Sequence, residues 1–239
     1  MADAVANLTR IPGFMRAMNW PKAAALMDRW FAGTPNADPA KGVDDTTIIT
    51  IDPWAMGFAR AKAAYTALVN DKPWTNENAK ALIKRRLQTA GMVPGKAITF
   101  GDLTQPPKVL DSSYLTFRVV GSMLDPFDDM YGALGKFTFR VAVQGKAVPV
   151  PGKLQHSVLI EAVGIYIRDT YDFNGDQPLG FWNFATGEVS RLPGFGYDYV
   201  ENKTFRDWRT QNTRGGDFLV FSELKRLTRT PPDSFVVDG

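Results

Sequence analysis

Ser157–Ile167 reads SVLIEAVGIYI, and Lys136–Val143 ahead of it reads KFTFRVAV. In the second stretch Phe137, Phe139, Val141 and Val143 alternate with Thr138, Arg140 and Ala142, the period of two that marks a half-buried antiparallel strand. In the first, Glu161 alone interrupts an apolar run on both faces, which predicts a strand in the middle of a sheet. Ala97–Phe100, Tyr114–Val120 and Asp217–Phe221 supply shorter strands around this pair. Toward the N-terminus the period changes. Pro21 opens a helical stretch in which Leu26, Met27, Trp30 and Phe31 form an apolar stripe, and Gly33 stops it. Thr34–Asp45 reads as a loop, and TIITI at Thr47–Ile51 predicts a short strand. Asp52-Pro53 reads as an N-cap followed by a first-turn proline, which predicts a helix to about Asn70. Thr75 is expected to cap a further helix that carries Ala79, Leu82, Ile83, Leu87 and Ala90 on one face and ends at Gly91.

The expected fold class is therefore α+β. A mainly helical region, residues 1–92, packs on a largely antiparallel sheet built from residues 93–239, with barrel-like closure as one option. A short helix capped by Asn202 runs to about Gln211, and the whole forms one compact unit. The 239 residues, 44% hydrophobic and 22% charged, exclude a disordered chain and leave enough chain to bury a core.

The charge balance is mild: 28 Lys and Arg against 25 Asp and Glu give +3. That argues against nucleic acid, which is met by a concentrated basic face. Lys80, Lys84, Arg85 and Arg86 are the nearest approach to one and read as a solvated helix face. The absence of Cys excludes disulfides, thiolate zinc sites and Cys nucleophiles. The one histidine, His156, would have to serve any Ser-His-Asp triad. Neither a signal-peptide core nor a transmembrane run of about 18 apolar residues is present, so the chain is expected to be made in the bacterial cytoplasm without a Sec signal. If it leaves the cell, another machine carries it.

Candidate chemistry concentrates in Gly164–Asn183, GIYIRDTYDFNGDQPLGFWN. A central strand ends in Asp169, Tyr171 and Asp172, and a sheet end holds polar groups rigidly. Asp169 and Asp172 could hold Mg²⁺ through oxygen, leaving positions for water and phosphate, with Tyr171 donating to a phosphate oxygen. The alternative is plain turn chemistry, with Asp, Asn and Gly shaping a bend and Arg168 paired to a neighbouring Asp. In Phe205–Asp217, FRDWRTQNTRGGD, Arg206 and Arg209 lie three apart on one helix face and could clamp a phosphate or carboxylate, or pair with Glu201 or Asp207. Gly215-Gly216 lacks the surroundings of a phosphate loop. Trp182 is a candidate substrate-contacting ring. The Asp125, Asp128 and Asp129 cluster reads as turn chemistry ahead of weak Ca²⁺ binding.

Two resemblances follow. The segments IPGFMRAMNWPKAAALMDRWFAG, VGIYIRDTYDFNGDQPLGFWN and VENKTFRDWRTQNTRGGDFLVFSEL resemble an uncharacterised bacterial family whose genes often lie near type VI secretion systems. Asp169-Thr170-Tyr171-Asp172-Phe173-Asn174 is similar to the signature of colicin M-type bacteriocins, which cleave the peptidoglycan precursor lipid II with Mg²⁺. In those toxins a catalytic His and an Arg follow five residues on, where this chain has Pro178 and Leu179. Together the resemblances imply an antibacterial effector, secreted into a target cell and acting on its envelope. Asp169, Tyr171 and Asp172 would be catalytic, Asp169 and Asp172 would hold Mg²⁺, and Arg206, Arg209 and Trp182 would bind substrate. The competing expectation is a non-catalytic adaptor, cargo chaperone or immunity partner that binds the secretion machinery or a neighbouring effector.

Overall fold

The computed structural model describes residues 2–238. It is α+β, with 36% of the chain helical and 31% in strands, so both classes build the core. The chain forms two compact units. One gathers Met1–Ile48, Gly121–Lys136 and Asp169–Val220; the other gathers Ile49–Val120, Phe137–Arg168 and Phe221–Gly239.

The second unit holds most of the main sheet. β1 (Ile98–Phe100) and β2 (Thr116–Val120) both pair antiparallel with β3 (Phe137–Pro149). β3 pairs with β4 (Gln155–Tyr171), placing Phe139 opposite Ile167 and Val141 opposite Ile165, and β4 pairs in turn with β9 (Lys225–Asp238). β4 is thus a central strand, as its two apolar faces demand. The sheet stays open and does not close into a barrel.

Phe137, Phe139, Val141 and Val143 are all buried, as the alternation requires. Ala142, on the opposite face, is buried too. It lies across from Gly164, where an added Cβ would come within 2.7 Å of Leu224 and 3.0 Å of Leu103, so that face is also covered. Arg140 sits on this face because Asp111 meets it at 2.6 Å; Tyr166 donates to the same carboxylate at 3.0 Å. Arg168 approaches Asp111 at 3.7 Å, so its acid partner comes from far along the chain and not from the adjacent loop.

Three local expectations differ from the structure. Thr47–Ile51 is not a strand. Its amides are taken by side chains instead: Asp45 accepts from Thr47 and Ile48, and Glu223 accepts from Ile51. Asp52-Pro53 does not start a helix; turns and a short 3-10 segment Ala55–Gly57 intervene before α4 (Ala59–Asp71). A first-turn proline is compatible with a helix and does not impose one. The helix expected from Thr75 is α5 (Glu77–Thr89), capped one residue later by Asn76, whose side chain accepts from Ala79 N–H at 2.9 Å. β9 went unforeseen because Pro231 and Pro232 argue against a ladder, yet an outer strand tolerates them.

The first unit is built around α3 (Pro21–Ala32), whose stripe Leu26, Met27, Trp30 and Phe31 is buried. α2 (Ile11–Ala17) and α7 (Asp129–Leu134) pack against it. The N-terminus of α3 is capped from a distance: Asp129 accepts from Lys22 and Ala23 N–H, each at 2.9 Å. That bond set is worth about 1 kcal/mol. β5 (Pro178–Asn183), β6 (Glu188–Ser190) and β7 (Asp198–Glu201) form a small antiparallel sheet in order β6-β5-β7. α8 (Asn202–Asn212) follows, and β8 (Phe218–Phe221) begins in this unit. Glu201, and not Asn202, caps α8, in a reciprocal capping box with Thr204. Asn202 turns away to donate to the Asn174 carbonyl at 2.7 Å.

Candidate functional site: a mixed cavity in the first unit

An aromatic cluster fixes one side of the site. Trp30 is fully buried, with the rings of Phe173, Phe205 and Phe31 edge-on to it at 4.9–5.4 Å. Phe173 stacks on Phe205 at 3.7 Å, and Tyr171 stacks on Phe218 at 5.3 Å. Such contacts add about 1 kcal/mol each beyond area burial. Beneath them lies Asp217, 0% exposed. It accepts from Trp30 Nε1 at 2.8 Å and Asn174 Nδ2 at 3.3 Å, and forms an ion pair with Arg209. Burial pushes its carboxyl above the ordinary value of 3.8; Trp30 and Arg209 pull against that, and the charge of Asp172 adds to it. Gly215 enters this knot with φ +99°, and a Cβ there would lie 2.6 Å from the Trp30 ring, so glycine is required.

Against this cluster sits a cavity of about 320 Å³. Its size is that of a small-ligand pocket. α2 and α3 supply Met15 and Met27, α7 supplies Leu134, α8 supplies Phe205, and the small sheet supplies Trp182 and Val189. The polar side is the end of β4 and the loop beyond it, where Asp169, Tyr171 and Asp172 all reach the cavity wall; Lys136 borders it as well. Tyr171 is 7% exposed, and its hydroxyl has no hydrogen-bond partner among the described residues. Burial raises that hydroxyl well above its ordinary 10.0, and the Asp169 charge raises it further, so it is a neutral phenol at every physiological pH. Asp172 accepts from Asn174 N–H at 3.0 Å, which shapes the turn leaving the strand.

The structure thus brings Asp169, Tyr171, Asp172 and Trp182 to one cavity. It does not bring the two arginines there. Arg206 donates to the carbonyls of Phe173 (2.9 Å) and Gly175, and pairs with Asp176 at 3.2 Å. Arg209 is committed to Asp217 and lies over the Trp30 ring at 5.1 Å. Both brace the walls, and neither borders the cavity. His156 belongs to the other unit, where it is 0% exposed with Nε2 at 3.0 Å from the Lys96 carbonyl. Asp125 and Asp128 accept from backbone amides of Ser122 and Tyr131, as turn and cap chemistry predicts. In the basic stretch of α5, Lys80 pairs with Glu77, and Arg86 donates to the carbonyls of Ser113 and Tyr114.

Among the described residues no three or more of His, Asp and Glu gather where they could hold a cation. Two carboxylates alone would leave the remaining Mg²⁺ positions to water and substrate phosphates. No helix among the described residues is long and apolar enough to cross a membrane.

The cavity was not readable from the sequence, because its apolar walls come from four separated segments with no local signature. Asp217 carried a faint signal, an acid directly ahead of an apolar strand. Compared with known proteins, the chain matches a family of unknown function, DUF6402, over residues 6–192 and 186–237. No curated protein and no solved structure matches it.

Proposed function

The chain belongs to the DUF6402 family of unknown function, and we propose that it is a binding protein that recognises a partner through the cavity of its first unit. The observation that carries this is the cavity itself: a largely apolar chamber of about 320 Å³ with Asp169, Asp172 and the Tyr171 phenol on one wall. Those features suit recognition of an amphipathic group. The lip of the chamber supports a protein as that partner. Met123 is 67% exposed and lines the cavity, and Leu124, its neighbour in sequence, is exposed; Leu192 is exposed next in sequence to Arg191. Arg191 joins these loops, lying 4.2 Å over Phe127 and donating to the Asp125 carbonyl. Exposed apolar groups collected on a rim mark an interaction surface. In the secretion setting that the sequence resemblance implies, such a module serves as an adaptor, a cargo chaperone or an immunity partner.

The test is co-expression with the products of neighbouring genes and native mass spectrometry of the complexes. Val189→Trp, which plugs the cavity from β6, is expected to lose the partner, and Arg85→Ala on exposed α5 is expected to keep it. Retention of the partner by Val189→Trp with an unchanged melting curve would refute the reading.

A second reading, Mg²⁺-dependent attack on a pyrophosphate-linked lipid, has one observation in its favour: Asp169, Tyr171, Asp172 and Trp182 reach the same wall. Asp169 and Asp172 would hold the ion, which would neutralise pyrophosphate charge. Lipid II incubated with the protein and Mg²⁺ separates the readings, since only the second expects product.

A further inference from the structure

We propose that the second unit carries a recognition site of its own, a carboxylate receptor on the Arg140 face of its sheet, which takes an acidic side chain flanked by apolar residues in a protein partner. The site is independent of the cavity in the first unit.

Register builds it. Phe117 lies opposite Arg140, and Arg140 opposite Tyr166; in the next row Val119 lies opposite Thr138, and Thr138 opposite Arg168. Directly opposed residues of antiparallel strands share a face, so β2, β3 and β4 present two guanidiniums beside two apolar side chains. One carboxylate serves both guanidiniums. One oxygen of Asp111 meets Arg140 Nη1 at 2.6 Å and accepts from the Tyr166 hydroxyl at 3.0 Å, whereas its other oxygen stays 3.7 Å from Arg168 Nε. Two cations against one anion leave a positive charge over.

That charge sits on Arg168. Arg140 is engaged twice, by Asp111 and by the Tyr114 ring, 4.2 Å from its guanidinium carbon. The guanidinium of Arg168 donates no hydrogen bond to any described residue, and its Nε is buried without a partner. A guanidinium has five N–H donors in a planar fork and no acceptor, so an unused fork is a receptor for an anion. The Arg168 side chain is 23% exposed, which leaves the fork within reach of a ligand. Its base is rigid. Arg168 stands on the central strand, its carbonyl accepting from the Thr138 hydroxyl at 3.0 Å. Arg86 donates to the carbonyls of Ser113 (2.8 Å) and Tyr114 (3.0 Å) and so holds the loop that carries Asp111.

Charge and neighbours select the ligand. A carboxylate brings one negative charge and two coplanar oxygens, which match one unused fork. A phosphate dianion would set a second negative charge against Asp111, and a nucleic acid is held by many cations where this face has one to spare. Phe117 and Val119, 51% and 45% exposed in the same two rows, favour a protein as the bearer. A free small acid leaves them in water, whereas apolar residues beside the acid cover them.

The experiment is an NMR titration of the full chain that follows the arginine Nε–Hε resonances. The probes are an acetylated, amidated leucine-glutamate-leucine peptide, its glutamine counterpart, its phosphoserine counterpart, and propionate. The glutamate peptide is expected to shift the Arg168 resonance and to bind at least about tenfold more tightly than the glutamine peptide or propionate. Arg168→Gln should abolish binding with melting temperature retained, Arg168→Lys should weaken it several-fold because an ammonium keeps the charge without the fork, and Arg85→Ala should leave it unchanged. Phe117→Ser should bring the glutamate peptide down to the affinity of propionate. Val189→Trp should bind the peptide as the native chain does, so this site and the cavity fail or stand separately. A glutamine peptide that binds equally well, or glutamate binding that survives in Arg168→Gln, would overturn the site. Full affinity in Arg168→Lys would overturn the fork as its basis. Propionate binding as tightly as the glutamate peptide would overturn the assignment to a protein segment, and tighter binding of the phosphoserine peptide would overturn the carboxylate.

Discussion

Replacing Arg209 by Met removes one member of a buried ion pair and leaves the other in place. Asp217 is 0% exposed and the Arg209 side chain 11% exposed, so water replaces little of what is lost. Trp30 Nε1 at 2.8 Å and Asn174 Nδ2 at 3.3 Å still donate to the carboxylate, but neither carries charge. Breaking a buried pair on one side costs about 3–5 kcal/mol. For a chain of this size, at about 2–4 °C per kcal/mol, that is a melting temperature lower by roughly 6–20 °C. The pH dependence gives a second check. Burial already raises the Asp217 carboxyl above 3.8, and loss of Arg209 raises it further. A raised carboxyl binds its proton more tightly in the folded state, so folded protein is favoured as pH falls through the folded value toward the unfolded one. The stability deficit of Arg209→Met should therefore be largest at pH 7 and shrink on acidification toward pH 4. Asp217→Asn introduced into that background keeps an oxygen for Trp30 and removes the charge, and should recover part of the loss at pH 7. Urea unfolding of the three variants, followed by tryptophan fluorescence across this range, measures both effects. A deficit below about 1 kcal/mol, or one that grows on acidification, would refute the reasoning.

Other expectations follow from the same structure. Asp129→Ala removes the cap on the Lys22 and Ala23 amides and should lower stability by about 1 kcal/mol, read by urea unfolding. Asp233 is met by Lys72 at 2.8 Å, Trp74 at 3.0 Å and Arg229 at 2.8 Å, and these donors hold its carboxyl below 3.8 against the opposing effect of burial. A lowered carboxyl contributes stability that is whole above the unfolded value and is lost as pH falls through the folded one. Asp233→Asn should thus destabilise at pH 7 and flatten the acid limb of the stability curve. Tyr171→Phe keeps the ring stacked on Phe218 and removes only a hydroxyl that bonds to no described residue, so stability should change by no more than about 1 kcal/mol in urea unfolding; a larger loss would assign the hydroxyl a structural role.

The elements with an uninterrupted period were legible. β3, β4 and α3 each repeat one spacing for long enough that burial of the apolar face decides the conformation. The segment at Thr47–Pro53 was misread because β-branched residues and an Asp-Pro pair are only permissive. Their backbone groups were claimed by Asp45 and by Glu223, whose carboxylates no local window can weigh. At the site, the end of β4 was legible as a polar cluster on a rigid strand, and its residues do converge on a cavity with Trp182. Arg206 and Arg209 share a helix as expected, but the acceptors they find are loop carbonyls and the buried Asp217, brought near by the chain's return through Gly215. The apolar walls were illegible for the converse reason: each of Met15, Met27, Leu134 and Val189 reads as ordinary core or surface until the fold juxtaposes them.

Methionine-methyl NMR of the full chain tests the central claim most directly. Met15, Met27 and Met123 line the cavity, whereas Met56 and Met92 belong to the other unit and report any general effect. Titration with the co-purified partner should shift the first three resonances and leave Met56 and Met92 in place, with every shift abolished in Val189→Trp. Resonances of Met15 and Met27 that stay fixed while the partner binds elsewhere would contradict the assignment of this cavity as the recognition site.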